Sequence, residues 1–273
     1  MTEQTLITSL QNPRVKALVK LRDQRGRRKA GLFIAEGMRA VIRAIDAKLT
    51  VESVWLCEEL LGDLSGVPLH ADAEVICVSA AVFKKIAYVR EPEGVLAVCE
   101  PPACSVEALP EAGRAALDLV AVGTEKPGNL GAMVRTADLA GCRAVVAAGT
   151  PIDVMNPNAI RASTGAVFTL PTISMDEAQA IDTLKQNNTR ILAAVVDGEV
   201  EHTHADYTGH CAIVIGPEDK GLSELWRDAA AKTGGQTVRI ATASKSADSL
   251  NASVATGVLL FEAVRQRKEA GLQ

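Results

Sequence analysis

At 273 residues the chain exceeds what one hydrophobic core needs, which points to about two domains. Its 48% hydrophobic and 23% charged residues exclude disorder and fibrous repeats, and no run approaches the ~18 apolar residues of a membrane span. A net charge of −4 excludes a uniformly basic polyanion binder, and an aromatic share of 3% leaves phosphate and ribose, rather than stacked bases, as the groups an RNA contact would use.

The first residues, MTEQTLITSLQNPRVK, contain no apolar run preceded by positive charge, so a cytoplasmic address is expected. From Asn12 to Arg43 ten basic residues stand against only Asp23 and Glu36, a local charge of +8, with Arg25, Arg27 and Arg28 at its centre. A solvated face would also carry charge, but this asymmetry between segments is what polyanion binding produces. Short apolar runs (VESVWL, EVICVS, GVLAVCE) then alternate with helical patterns (VKALVKL, MRAVIRAIDA), which predicts a small α/β domain over 1–105. Residues 100–113 hold three prolines and little periodicity and read as a linker.

Beyond it, from 114 to 273, the runs ALDLVAV, RAVVAAG, RILAAVV, CAIVIG and TVRI are near-continuously apolar, as parallel strands covered on both faces are. Helical segments separate most of them. The last helix, about 248–269, places Leu250, Val254, Val258, Phe261 and Val264 on one stripe, expected to pack on the sheet or on a partner subunit.

Six cysteines lie scattered without a CxxC pair, mostly among apolar neighbours, so they read as small buried residues. His202 and His204 form an HxH without a nearby third ligand, which reads as a polar loop, and no metal is expected. The loop GPEDKG, Gly216 to Gly221, lacks the Lys-Ser/Thr of a phosphate-binding loop because Leu222 and Ser223 follow it. The dinucleotide fingerprint GxGxxG is absent too, which removes the support for an ordinary Rossmann dehydrogenase.

Taken together, EKPGNLGAMVRTADLAG (from Glu125), AIVIGPEDKGLSELW (from Ala212) and VRIATASKSADSLNASVATG (from Val238) resemble the three motifs of the SpoU/TrmH methyltransferases of the SPOUT superfamily. The N-terminal NPRVKALVKLRDQRGRRKAGLFIAEG resembles the substrate-binding domain that many members carry. The resemblance implies an α/β trefoil-knot catalytic domain, S-adenosylmethionine held bent against the knot, and a homodimer. It also implies methyl transfer to a ribose 2′-hydroxyl of structured RNA, with ribosomal RNA as the expected substrate.

Site residues follow from the same match. Arg135 aligns with the family's catalytic arginine; since a guanidinium stays protonated, a phosphate clamp that also stabilises the forming alkoxide is preferred to a general base. Asn129 is expected to cap its helix or to hydrogen-bond the target ribose, and Glu218 to cap a helix near Leu222 or to contact RNA and the partner subunit. Ser249 and Asn251 match the segment that lines the catalytic pocket, and Arg161 a second arginine that contacts substrate. Gly216, Ile240 and Leu250 match positions whose backbone surrounds adenine and ribose, with Ala194 ending the preceding strand. Two positions depart from the pattern. Ile240-Ala241-Thr242 stands where the family usually has Ile-Pro-Met, and Pro217 where it has a small residue, so an altered cofactor fit is expected.

Two other readings remain: a non-catalytic RNA-binding or ribosome-assembly module that keeps the fold, and a nucleotide-binding enzyme of another class. The joint presence of Asn129, Arg135, Glu218, Ser249 and Asn251 favours the methyltransferase over the first, and the missing phosphate-loop signatures disfavour the second.

Overall fold

A computed structural model describes residues 6–63, 66–67, 73–106, 109–113, 115–149, 152–243 and 249–272. The chain forms two compact units, Met1–Ala103 with Met155–Thr169, and Cys104–Val154 with Leu170–Gln273. The segment Met155–Thr169 is thus grouped by its contacts with the first unit, although it interrupts the sequence of the second. Among the described residues no helix is long and apolar enough to cross a membrane.

In the first unit, Asn12 accepts the N–H of Arg14 at 2.9 Å and Pro13 takes the first helical position, which starts α1 (Pro13–Lys20). The next helix, α2 (Gln24–Ala30), ends at Gly31 in the left-handed conformation. The two helices meet so closely that a Cβ on Gly26 would lie 1.8 Å from the Lys20 carbonyl oxygen. Arg27, expected on the RNA-binding face, is buried instead. Its Nη1 donates to the carbonyls of Leu21 at 2.6 Å and Arg22 at 2.8 Å, acceptors just past the end of α1 that have no partner within it. A guanidinium committed to those carbonyls is withdrawn from RNA, whereas Arg25 and Arg28 remain exposed.

The chain continues through β1 (Phe33–Glu36), α3 (Met38–Asp46), β2 (Val51–Leu56), α4 (Glu58–Leu61), β3 (Glu74–Cys77), α5 (Ala80–Ile86) and β4 (Val95–Cys99). The sheet has order β1-β4-β2-β3, antiparallel except for the parallel β2/β3 pair. Val15, Leu18, Trp55, Phe83, Ile86 and Leu96 fill its core, and burial of each large side chain contributes about 1.5–3 kcal/mol.

The second unit contains β5 (Leu117–Val122), α6 (Pro127–Leu139) and β6 (Ala144–Ala148). After them comes α7 (Pro157–Ser163), the helix grouped with the first unit. Back in the second unit follow β7 (Thr172–Met175), α8 (Glu177–Gln186), β8 (Arg190–Ala194), β9 (Val200–Glu201), β10 (Cys211–Ile215), α9 (Glu224–Lys232), β11 (Gln236–Arg239) and α10 (Ala252–Glu269). The strands form one sheet of order β7-β6-β5-β10-β8-β11-β9 in which every pairing is parallel. β5, β6 and β10 are buried throughout, as their unbroken apolar runs predict. Asp118 is the exception in β5: buried, it receives two bonds from Arg143, at 3.0 and 2.6 Å. Described parts of the 100–113 segment carry no helix or strand.

The last helix turns its apolar stripe the other way. Packed inward are Ala252, Thr256, Leu259, Leu260, Ala263 and Arg267, whereas Leu250 just before the helix, and Val254 and Phe261 on it, are exposed. Of that stripe Leu250, Val254 and Phe261 are thus left outside the unit's own core, while Val258 and Val264 are half-buried. Near the far end of α10, buried Arg267 donates to the carbonyls of Tyr207 at 2.8 Å and Gly209 at 2.9 Å, and also to that of Ala115.

Candidate active site

Three segments lie at the carboxyl ends of strands in the second unit: 123–126 after β5, 216–223 after β10, and 240–243 after β11 with 249–251 before α10. Open parallel sheets bind ligands at this end because helix N-termini and free backbone groups converge there.

Glu218 ties the three loops together. Its Oε1 accepts from Asn129 Nδ2 at 3.0 Å, from Asn251 Nδ2 at 2.7 Å and from the backbone N–H of Ala252 at 3.3 Å, while Ser249 Oγ donates to the Glu218 carbonyl at 3.4 Å. Four of the five expected catalytic residues are therefore gathered in one cluster. Of the alternatives expected of Asn129 and Glu218, the helix caps are not the ones realised. Asn129 does not cap α6, where Lys126 holds the cap position; its amide crosses to Glu218. Glu218 does not cap α9, which Ser223 precedes, but places its carboxylate at the start of α10, favourable for the helix dipole. Asn251 caps α10 by accepting the N–H of Ser253 at 3.0 Å.

Two adjoining clefts share 217–221, Ser249, Leu250 and Ala252 as walls. The first, about 710 Å³, contains Asn129, Glu218, Ser249 and Asn251 together with Lys126 and Lys220. Those two lysines were not singled out from the sequence, although both lie inside the quoted motifs. The second cleft, about 410 Å³, is bounded by Ala194, Gly216, Ile240 and Leu250, all four expected cofactor positions. Apolar Val195, Val196 and Ile215 line it too, as an adenine ring requires. Gly216 is needed for a reason the sequence did not reveal: a Cβ there would stand 2.6 Å from the Gly221 carbonyl carbon, so the loop closes on its own backbone. Pro217 lines both clefts and fits without displacing the Glu218 cluster.

Arg135 is not in this cluster. It lies on α6 six residues beyond Asn129, about 9 Å along the axis, exposed, and among the described residues it has no hydrogen bond or ion pair. Arg161, on α7 in the first unit, is exposed and donates to Asn158 Oδ1 at 3.3 Å.

Among the described residues no three His, Cys, Asp or Glu side chains converge as a metal site. The cysteines are not nucleophiles of this site: burial pushes the Cys99 thiol up to about 12 and moves Cys142 and Cys211 in the same direction.

Residues 116–261 match the family model described as the SpoU rRNA Methylase family, and residues 12–97 match an MRM3-like substrate binding domain. A 23S rRNA (uridine(2479)-2′-O)-methyltransferase of Streptomyces viridochromogenes is 31% identical over 267 residues, covering 92% of this chain and 88% of its own. The crystal structure of an RNA 2′-O ribose methyltransferase superposes with a TM-score of 0.81 at 36% identity, covering 97% of this chain and all of that one. The structure of the SpoU methyltransferase AviRb from Streptomyces viridochromogenes, in complex with AdoMet, gives a TM-score of 0.84 at 26% identity, covering 94% and 99% of the two chains. With its three motif loops joined at Glu218 beside a cleft of the expected cofactor residues, the chain belongs to the SpoU rRNA methylase family.

Proposed function

We propose that this protein transfers a methyl group from S-adenosylmethionine to a ribose 2′-hydroxyl of ribosomal RNA in the cytoplasm. The observation that carries this reading is the shared wall of the two clefts: a donor held in the smaller meets an acceptor held in the larger across 217–221, Ser249, Leu250 and Ala252. The smaller cleft suits the cofactor through its apolar sides and the close backbone turn at Gly216. When bound there, S-adenosylmethionine supplies an electrophilic methyl group.

The remaining work falls to the chain's own side chains. A carboxylate only accepts hydrogen bonds, so Glu218 fixes which end of each neighbouring amide faces it. Asn129 must present Nδ2 to Glu218, and this frees Oδ1, which has no donor among the described residues, to accept from the ribose hydroxyl and aim its oxygen. Fixed aim of this kind supplies much of the rate of a displacement. Lys126 and Lys220 bring positive charge to the cleft that receives the RNA backbone.

Arg135 acts as the phosphate clamp and offsets charge growing on the 2′-oxygen. Its place outside the single-chain cluster is explained by a homodimer in which a second copy covers exposed Leu139, Val254 and Phe261 of α6 and α10. Arg25, Arg28 and Arg161 hold RNA through the first unit. Family membership supports a trefoil knot in the second unit. Incubation with ribosomal RNA and methyl-labelled S-adenosylmethionine, followed by mapping of 2′-O-methyl positions, tests the reading. One protected position per RNA is expected; cofactor binding without transfer to any ribosomal RNA would overturn it.

A further inference from the structure

Within the first unit a second cavity, about 610 Å³, opens beside α3, residues 88–93 and α7. That volume falls in the ~300–1,000 Å³ range of small-ligand sites. Its apolar sides include Ile34, Ile42 and Ile160, and at its edge stands Tyr88. Of the eight aromatic residues in the chain only Tyr88 and Phe261 are exposed.

Tyr88 is held from three directions. Its backbone N–H donates to Glu36 Oε2 at 2.7 Å, its hydroxyl accepts from Asn158 Nδ2 at 2.9 Å, and the Arg22 guanidinium lies 5.8 Å from the ring centroid. An exposed ring fixed in this way loses little freedom when something stacks on it.

The charged groups around the cavity are equal in number but differ in what they bind. Arg39, Arg43 and Arg161 line it, as do Glu36, Glu91 and Glu93. Two of those carboxylates serve the backbone: Glu36 accepts from Tyr88 and Val89, and Glu93 accepts from Met38 at 2.8 Å at the start of α3. Burial raises the Glu36 pKa, against those backbone bonds and the charges of Arg22 and Arg161. Arg39 and Arg43 have no hydrogen bond or ion pair among the described residues, while Arg22 stands over the Tyr88 ring outside the lining. An apolar slot with a fixed aromatic ring and guanidinium groups that have no partner of their own matches an anion that carries a flat ring.

On the footing that RNA is the substrate, we propose that this cavity binds one unpaired nucleotide of that RNA, its base against Tyr88 and its phosphates on Arg39, Arg43 and Arg161. Arg22, Arg39 and Arg43 belong to the +8 segment, so the nucleotide would arrive along a path already attractive to phosphate. The bound nucleotide is distinct from the one methylated and fixes where the RNA enters.

The test uses full-length protein, a short single-stranded RNA carrying 2-aminopurine, and a duplex of the same length. Wild-type protein is expected to change the 2-aminopurine fluorescence of the single strand and not of the duplex. Tyr88→Ala should abolish that change and weaken single-strand binding about tenfold, the scale of one lost base stack. Tyr88→Phe, which keeps the ring, should retain most of both. Arg39→Ala with Arg43→Ala should flatten the salt dependence by about 0.7 unit for each lost phosphate contact. Affinity for S-adenosylmethionine and the melting temperature serve as folding controls. Unchanged fluorescence and affinity in Tyr88→Ala, with wild-type protein still methylating RNA, would overturn the pocket and leave the activity standing. Failure of wild-type protein to methylate any ribosomal RNA would remove both.

Discussion

Asn129 and Glu218, 89 positions apart in sequence, are joined by a 3.0 Å hydrogen bond from Nδ2 to Oε1. The same oxygen also holds Asn251 and the start of α10, so Glu218→Ala releases three donors at once. Single-turnover methyl transfer is expected to fall at least about tenfold to a hundredfold, since each charge-assisted bond contributes on the order of 1.5–3 kcal/mol. Glu218→Gln keeps one acceptor oxygen and should lie between. A wild-type rate for Glu218→Ala would show that Asn129 needs no such partner.

Arg135 gives the opposite pattern, because it is exposed and among the described residues has no hydrogen bond or ion pair. Arg135→Ala should leave thermal stability within about 0.5 kcal/mol of wild type while slowing the chemical step at least about tenfold. Lys at this position should restore only part, as it keeps the charge and loses the planar fork. Saturating RNA and S-adenosylmethionine with a check of dimerisation make the measurement decisive; undiminished turnover would remove Arg135 from the catalytic set.

The three neighbouring arginines of α2 should separate cleanly. Arg27→Ala leaves the Leu21 and Arg22 carbonyls without their donor and should destabilise the protein by about 1.5–3 kcal/mol in urea unfolding. Arg25→Ala and Arg28→Ala should unfold like wild type and instead flatten the salt dependence of RNA binding. Equal stability of all three variants would contradict the buried geometry of Arg27.

Acid should weaken the turn at Asp206. Bonds from the Thr208 hydroxyl and backbone N–H, then the Arg190 charge, hold its pKa below the ordinary 3.8. A carboxyl with a depressed native pKa adds stability above its unfolded value and loses it as pH falls through the native one. Asp206→Asn should therefore be less stable than wild type at pH 7 and flatten the acid limb below about pH 4, where the two proteins converge. Chemical denaturation across that range reads the difference; parallel curves for variant and wild type would refute it.

Much of the catalytic unit is legible in the sequence because its signals are local. Unbroken apolar runs become β5, β6 and β10, and the loops after the strands bring Asn129, Glu218, Ser249 and Asn251 together. What sequence could not supply was partner choice across long separations. Nothing around Glu218 says that it serves α10 rather than nearby α9, and a run of charge does not reveal that Arg27 turns inward. Spacing put Leu250, Val254 and Phe261 on one side of the last helix but could not say whether that side meets the sheet. The grouping of Met155–Thr169 with the first unit left no mark in composition, since it depends on contacts with a sheet made more than fifty residues earlier.

Arg267 ties the far end of α10 to carbonyls at Tyr207, Gly209 and Ala115, and the near end of the same 18-residue helix begins at Asn251. A rod of about 27 Å thus has its anchor at one end and the Glu218 cluster at the other. Both ends follow every strand of the sheet in chain order, so a polypeptide emerging from its amino end has built the whole sheet before the cluster can close. Competence comes as the last act of synthesis, and a nascent catalytic unit that stalls before α10 presents the cofactor cleft without the Asn251 that completes the cluster.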